Sequence, residues 1–121
     1  MPKTALVVDD SPTMRRMVSE VLRRAGFTIV EGANGEEALR RAENAGVRLV
    51  ITDFNMPVMG GMALIERLRA RPEYRHVPIL VLTTESEAGR KQEGRAAGAT
   101  GWVVKPFDPA KLLELVNRLA P

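Results

Sequence analysis

The sequence contains no cysteine and a single histidine, His76. A disulfide framework and thiolate metal sites are therefore excluded, and one imidazole builds neither a histidine metal cluster nor a catalytic triad. Aromatic residues are nearly as scarce: one Trp, one Tyr and three Phe in 121 residues. No apolar run approaches the roughly 20 residues that a spanning helix needs. The stretch ahead of Asp9-Asp10 is too short to act as a signal peptide. A strong excess of one charge is also missing, the net value being +3. The arginines fall as scattered helical pairs, Arg15-Arg16, Arg23-Arg24 and Arg40-Arg41, with no basic run interleaved with aromatics. Such pairs read as solvated helix faces and not as a nucleic-acid footprint. The expectation is a cytoplasmic protein, monomeric, with neither membrane nor nucleic acid as a partner.

What the chain does have is one repeated device. At 45% hydrophobic and 27% charged residues it has the composition of one ordinary folded domain. Its apolar runs each stop abruptly at a chemically active side chain. Leu49–Thr52 stops at Asp53, and Ala5–Val8 at Asp9-Asp10. Ile79–Leu82 stops at Thr83-Thr84, and Trp102–Val104 at Lys105-Pro106. Short β-favouring runs of this kind read as strands buried on both faces. Their carboxyl ends form the rim where open α/β sheets bind ligands.

Between the runs lie helix signals. Ser11-Pro12 and Asp108-Pro109 pair a capping side chain with proline at the first helical position. Asn34 caps a segment whose first turn carries Glu36 and Glu37, favourable against the helix dipole; its apolar face is Ala38, Leu39, Ala42 and Ala45, and Gly46 is expected to end it. A third helix begins after Gly60-Gly61. The segment 85–98 has only alanines as apolar side chains, and each of Gly89 and Gly94 costs a helix about 1 kcal/mol relative to alanine; if helical, it is loosely held. Strict strand–helix alternation, five times over, implies a parallel sheet covered on both faces. Taken singly, Asp9-Asp10 also suits a turn and Thr83 a helix cap. Lys105 suits a solvated strand end, and Trp102 plain packing.

Taken in order, LVVDD, TDFNMP, VLTTE and GWVVKPF resemble the receiver domain of bacterial two-component response regulators, over nearly the whole chain. Among receivers the pattern is most similar to the stand-alone, chemotaxis (CheY-like) type. The resemblance implies a flavodoxin-like α/β three-layer sandwich: a five-stranded parallel sheet of order 2-1-3-4-5 with five helices. It also implies one receiver domain over residues 1–121, without an output domain. Asp53 then stands as phosphoacceptor for a sensor histidine kinase, with Thr83 and Lys105 contacting the transferred phosphoryl group. Asp9, Asp10, Asp53 and the carbonyl of Asn55 stand as the Mg²⁺ site. Lys105-Pro106 stands as a cis peptide, and Trp102 as a switching aromatic coupled to Thr83. Asn55 and Glu85 would flank the path of hydrolytic water. Such a protein is a signalling switch and not an enzyme acting on a metabolite; its output is a target protein such as the flagellar motor switch. The alternatives are an intermediate that passes phosphate to a histidine phosphotransfer domain, and an aspartate-nucleophile phosphohydrolase. The latter would carry a second aspartate two residues after the nucleophile, where this chain has Asn55. Two departures from the family stand out: Gly60 replaces a common aspartate, and Trp102 replaces a tyrosine or phenylalanine.

Overall fold

The computed structural model of the chain describes residues 3–56, 58–84 and 91–120. Glu85, Gly89 and the first part of the 85–98 segment lie outside the described residues.

Five strands, β1 (Lys3–Val8), β2 (Phe27–Gly32), β3 (Val47–Asp53), β4 (Ile79–Thr83) and β5 (Gly101–Val104), alternate with helices. The helices are α1 (Pro12–Arg24), α2 (Gly35–Ala42), α3 (Gly61–Arg69), α4 (Lys91–Ala97) and α5 (Pro109–Leu119). All strand pairs are parallel, in the order β2-β1-β3-β4-β5. This is the flavodoxin-like arrangement that the motif order implies.

Strand alternation divides the core in two. Leu6, Val8, Val50 and Val81 pack with Ala38, Leu39, Leu64, Ile65 and Leu68, so α2 and α3 cover that face. Ala5, Val7, Leu49, Ile51, Leu80 and Leu82 pack with Val18, Leu22, Leu112 and Val116 of α1 and α5. Both faces are closed, which is why the central strands read as unbroken apolar runs. The less apolar β2 takes the edge, as its composition suggests. In register, Val8 stands opposite Thr52, Asp53 opposite Leu82, and Thr83 opposite Val104. Four strand ends therefore finish at one rim.

The helix caps form where the sequence places them. Met14 N–H donates to Ser11 Oγ at 3.2 Å, Glu37 N–H to Asn34 Oδ1 at 2.9 Å, and Ala110 N–H to Asp108 Oδ1 at 2.9 Å. Gly60, without a side chain, caps α3 with no such bond. Two boundaries differ from the sequence reading. α2 stops at Ala42 instead of continuing to Gly46, because Glu43 turns extended and Asn44 (φ 59°) and Gly46 (φ 66°) enter the left-handed region. Ala45 thus reaches the core from a turn and not from the helix. The connection between Pro72 and Pro78 contains a 3₁₀ turn, Pro72–Tyr74, that buries Tyr74.

The loop after β3 holds an unfavourable residue. Val58 has φ 70° and is 77% exposed, so a β-branched side chain occupies a left-handed conformation with little burial in return. Asparagine tolerates that conformation far better. Val58→Asn should raise the unfolding free energy by about 1 kcal/mol, read as a higher urea midpoint at unchanged slope. An unaltered or lower midpoint would show that the position carries no strain.

Candidate functional site

The rim brings together Asp9, Asp10, Asp53, Thr83 and Lys105. Asp9 and Asp53 are 1% and 5% exposed, whereas Asp10 faces solvent. One oxygen from each of the three carboxylates lies within 4.8 Å of the other two. Lys105 Nζ sits 2.7 Å from Asp53 Oδ1 and 3.9 Å from Asp9 Oδ2.

The backbone frames these groups. Phe54 N–H donates to the Leu82 carbonyl at 3.0 Å, and Lys105 N–H to the Thr83 carbonyl at 2.7 Å, so the ends of β3, β4 and β5 are tied in sequence. The Lys105-Pro106 bond is cis. Gly61 N–H donates to the Phe54 carbonyl at 3.0 Å, and a Cβ on Gly61 would lie 2.5 Å from the Asp53 carbonyl oxygen. Absence of a side chain at 61 therefore lets α3 start directly against the end of β3. Met59 fixes the same loop to α2: its carbonyl accepts from Gly35 N–H at 3.2 Å, and its side chain fills the space that a Cβ on Gly35 would occupy.

Asp9 is held in one orientation. Ser11 N–H donates to its Oδ1 at 2.9 Å, while Oδ2 is buried with no hydrogen-bond partner among the described residues. Arg15 Nη1 donates to the Asp9 carbonyl at 2.6 Å, and Arg15 Nε pairs with Glu31 at 3.2 Å. Sequence reasoning placed Arg15 among the solvated helix charges. Its position one turn beyond Pro12 was the available signal, since that turn faces the end of β1. Thr83 is completely buried, and its Oγ1 also lacks a partner among the described residues. Asn55 lies exposed two residues beyond Asp53. Trp102 is half-buried on β5, away from the carboxylates and against the α2–α3 face of the core.

Burial raises the Asp9 carboxyl to about 6, with the neighbouring Asp53 charge adding to the rise and the Ser11 amide and Lys105 opposing it. Burial raises Asp53 as well, against the pull of the Lys105 ammonium. Three converging carboxylates, one with a buried oxygen that has no hydrogen bond among the described residues, are an all-oxygen donor set. They fit a hard divalent cation such as Mg²⁺, which takes one or two protein carboxylates and keeps several waters. Three carboxylates against one ammonium also leave a double negative excess for a dication to balance.

Residues 5–117 match the family described as the response regulator receiver domain. The chain is 40% identical over 111 residues to chemotaxis protein CheY1 of Helicobacter pylori, covering 90% of each. It superposes on the chemotaxis response regulator CheY4 of Vibrio cholerae with a TM-score of 0.90 at 45% identity, covering 98% of this chain and 99% of that one. The receiver domain of a Pseudomonas aeruginosa sensor histidine kinase, solved with a magnesium ion coordinated in its active-site cleft, aligns with a TM-score of 0.87 at 28% identity over 99% and 98% of the two chains.

Two solution measurements follow from this geometry. In metal-free buffer Asp9 binds its proton more tightly folded than unfolded, so its contribution to stability falls as pH rises from about 4 to about 6. Asp9→Asn should therefore gain on the native chain across that interval, by on the order of 2 kcal/mol, in paired denaturant titrations; a constant difference would mean Asp9 is not perturbed. At pH 7, Mg²⁺ should raise the melting temperature, by about 2.7 kcal/mol of added stability at a hundred times its Kd. Asp10→Asn should weaken that rise, and a melting curve indifferent to millimolar Mg²⁺ would rule the metal site out.

Proposed function

The chain belongs to the response regulator receiver family, and from that premise we propose that it is a phosphorylation switch with Asp53 as its phosphoacceptor. The observation that carries this reading is Asp53 itself. It is a buried carboxylate at the end of the central strand, with an ammonium at 2.7 Å and, at the next strand end, a buried threonine hydroxyl with no hydrogen-bond partner among the described residues.

A carboxylate is a weak nucleophile but a sufficient one for phosphoryl groups, which it accepts as an acyl phosphate. Asp53 Oδ forms the new bond to phosphorus as the bond from phosphorus to the donor's imidazole nitrogen or acyl oxygen breaks. An ionised carboxylate attacks without losing a proton, so the nucleophile needs no general base. Phosphoryl transfer depends mainly on positioning and charge neutralisation. Lys105 supplies one fixed positive charge, and the Thr83 hydroxyl has a hydrogen bond to give to a phosphoryl oxygen. Asp9, Asp10, Asp53 and the Asn55 carbonyl would hold Mg²⁺, which when bound neutralises charge on the transferring group. Asp9 is kept in position for that task by the Ser11 amide and by Arg15 on its carbonyl.

The donor is a histidine kinase, and the output is a protein target of chemotaxis signalling, in keeping with the chemotaxis proteins among its relatives; the face made by α4, β5 and α5 is the one that the new charge would re-shape. Arrival of the phosphoryl group adds nearly two negative charges beside Lys105 and Thr83. Thr83 moves toward them, and Trp102 on the adjoining strand responds.

Acetyl phosphate with Mg²⁺ tests the core of this. Native protein should gain the mass of one phosphoryl group by intact-mass spectrometry, and Asp53→Asn should gain none. Lys105→Ala should label on the order of a hundredfold more slowly while still binding Mg²⁺. Equal labelling of the native chain and Asp53→Asn would remove Asp53 from the role.

A further inference from the structure

Asp9 is bonded at every polar atom but one. Its N–H donates to the Gly32 carbonyl of β2 at 3.1 Å, and its Oδ1 accepts from Ser11 N–H at 2.9 Å. Its carbonyl accepts from Arg15 Nη1 at 2.6 Å, which leaves Oδ2 as the atom without a hydrogen bond among the described residues. The carbonyl contact governs more than Asp9. It fixes the plane of the peptide joining Asp9 to Asp10, and a planar peptide carries that orientation into the next residue. Asp10 lies beyond Val8, the last paired residue of β1, so the sheet itself does not orient it.

Two elements aim the guanidinium. Arg15 N–H donates to the Ser11 carbonyl at 3.0 Å, so Arg15 stands one turn into α1 and its side chain leans back over the helix start. Glu31 Oε1 accepts from Arg15 Nε at 3.2 Å. Strand alternation places Glu31 on the same face of β2 as Ile29, the face that packs with α1 and α5. The sheet therefore delivers this carboxylate to Arg15. An arginine beside a cation site is by itself a poor arrangement. Asp9, Asp10 and Asp53 against Lys105 leave a double negative excess, which an unpaired guanidinium would halve. Glu31 restores it.

We propose that Arg15 is a positioning residue for the Asp9-Asp10 pair and that Glu31 neutralises its charge. The pair is thereby oriented for a small dication without losing its attraction for one. This rests on the reading of the three carboxylates as a Mg²⁺ site. Mg²⁺ demands near-octahedral geometry with short bonds, whereas Ca²⁺ accepts longer and less regular sets of oxygens. Orientation therefore shows as selectivity between the two ions, and neutralisation as an affinity that depends on salt.

Amide signals around Asp10, followed by NMR during titration with MgCl₂ or CaCl₂, give both dissociation constants. Arg15→Met should weaken Mg²⁺ about tenfold, the usual cost of losing a group that orients a metal ligand, and Ca²⁺ by about threefold or less. Charge alone predicts the reverse, since removing a nearby cation should tighten both ions. General damage to the fold would weaken both alike. Tighter or unchanged Mg²⁺ binding, or an equal loss for the two ions, overturns the positioning role. Should Arg15→Met not fold, Arg15→Gln must show the same selective loss; failure of both to fold also overturns the role. Glu31→Gln should weaken both ions about threefold at low ionic strength. That difference should vanish in about 1 M KCl, where charges are screened within ~3 Å. An effect absent at low salt, or one that survives high salt, overturns the neutralisation. A native chain that binds neither ion sinks the metal reading and this inference with it, whereas binding by native chain and Arg15→Met alike sinks the inference alone.

Discussion

The contact between the Lys105 ammonium and the Asp53 carboxylate, 2.7 Å apart, is the interaction on which the rim depends. Two unit charges at that distance attract by about 6 kcal/mol at an effective dielectric of 20. The repulsion between carboxylates within 4.8 Å of one another is more than half as large. One ammonium thus only partly relieves two buried carboxylates. Burial still raises Asp53 against the pull of Lys105, and burial, with the Asp53 charge adding to it, raises Asp9 to about 6. The strand order determines that Lys105 has this task. β5 is separated from β3 by β4, a span of roughly 10 Å at ordinary strand spacing. Lysine, with its four-carbon stem, reaches across. Had β5 paired with β3 directly, its terminal lysine would stand too close for the same geometry.

The rim was legible because strand ends are the most readable feature of a doubly wound sheet. An apolar run buried on both faces announces its own end, and Asp9, Asp53, Thr83 and Lys105 are the residues at those ends. The caps of α1, α2 and α5 were legible for a similar reason: serine, asparagine and aspartate there bond to amides two or three residues on, a purely local event. Other features depend on residues distant in sequence. Gly60-Gly61 reads as the loop before a helix, yet Gly61 is required by close packing on the Asp53 carbonyl. Gly94 reads as a defect in a helix, yet a Cβ there would overlap the Trp102 indole. The early end of α2 turns on Asn44, a residue that tolerates the left-handed conformation, but Gly46 two residues on offers the same signal more strongly and drew the expected end there. Val58 gives no warning at all, since nothing in its composition predicts a left-handed valine.

The two helices beside β5 are anchored unequally. α5 sets Leu112 and Val116 fully into the core against Leu80 and Leu82, and α1 adds Val18 and Leu22. Removing any one of these leucines would cost on the order of 2–5 kcal/mol. That face is a buttress. α4, by contrast, has the sequence KQEGRAA and no apolar side chain larger than alanine. Its attachment to the sheet is correspondingly weak, and a weakly attached element is the least costly one to move.

Strand parity decides which face registers an event at the rim. Thr83 stands two residues beyond Val81 and so shares its face, and Val81 is the register partner of Trp102 on β5. Leu82 points to the opposite face, toward α5. The Thr83 side chain therefore belongs to the Val81 side of the sheet and not to the α5 side. If Thr83 moves as proposed, the large group nearest to it along β5 is Trp102, whose Nε1 is buried with no hydrogen-bond partner among the described residues. An indole N–H so placed gains nothing from staying where it is, so packing is what holds the ring.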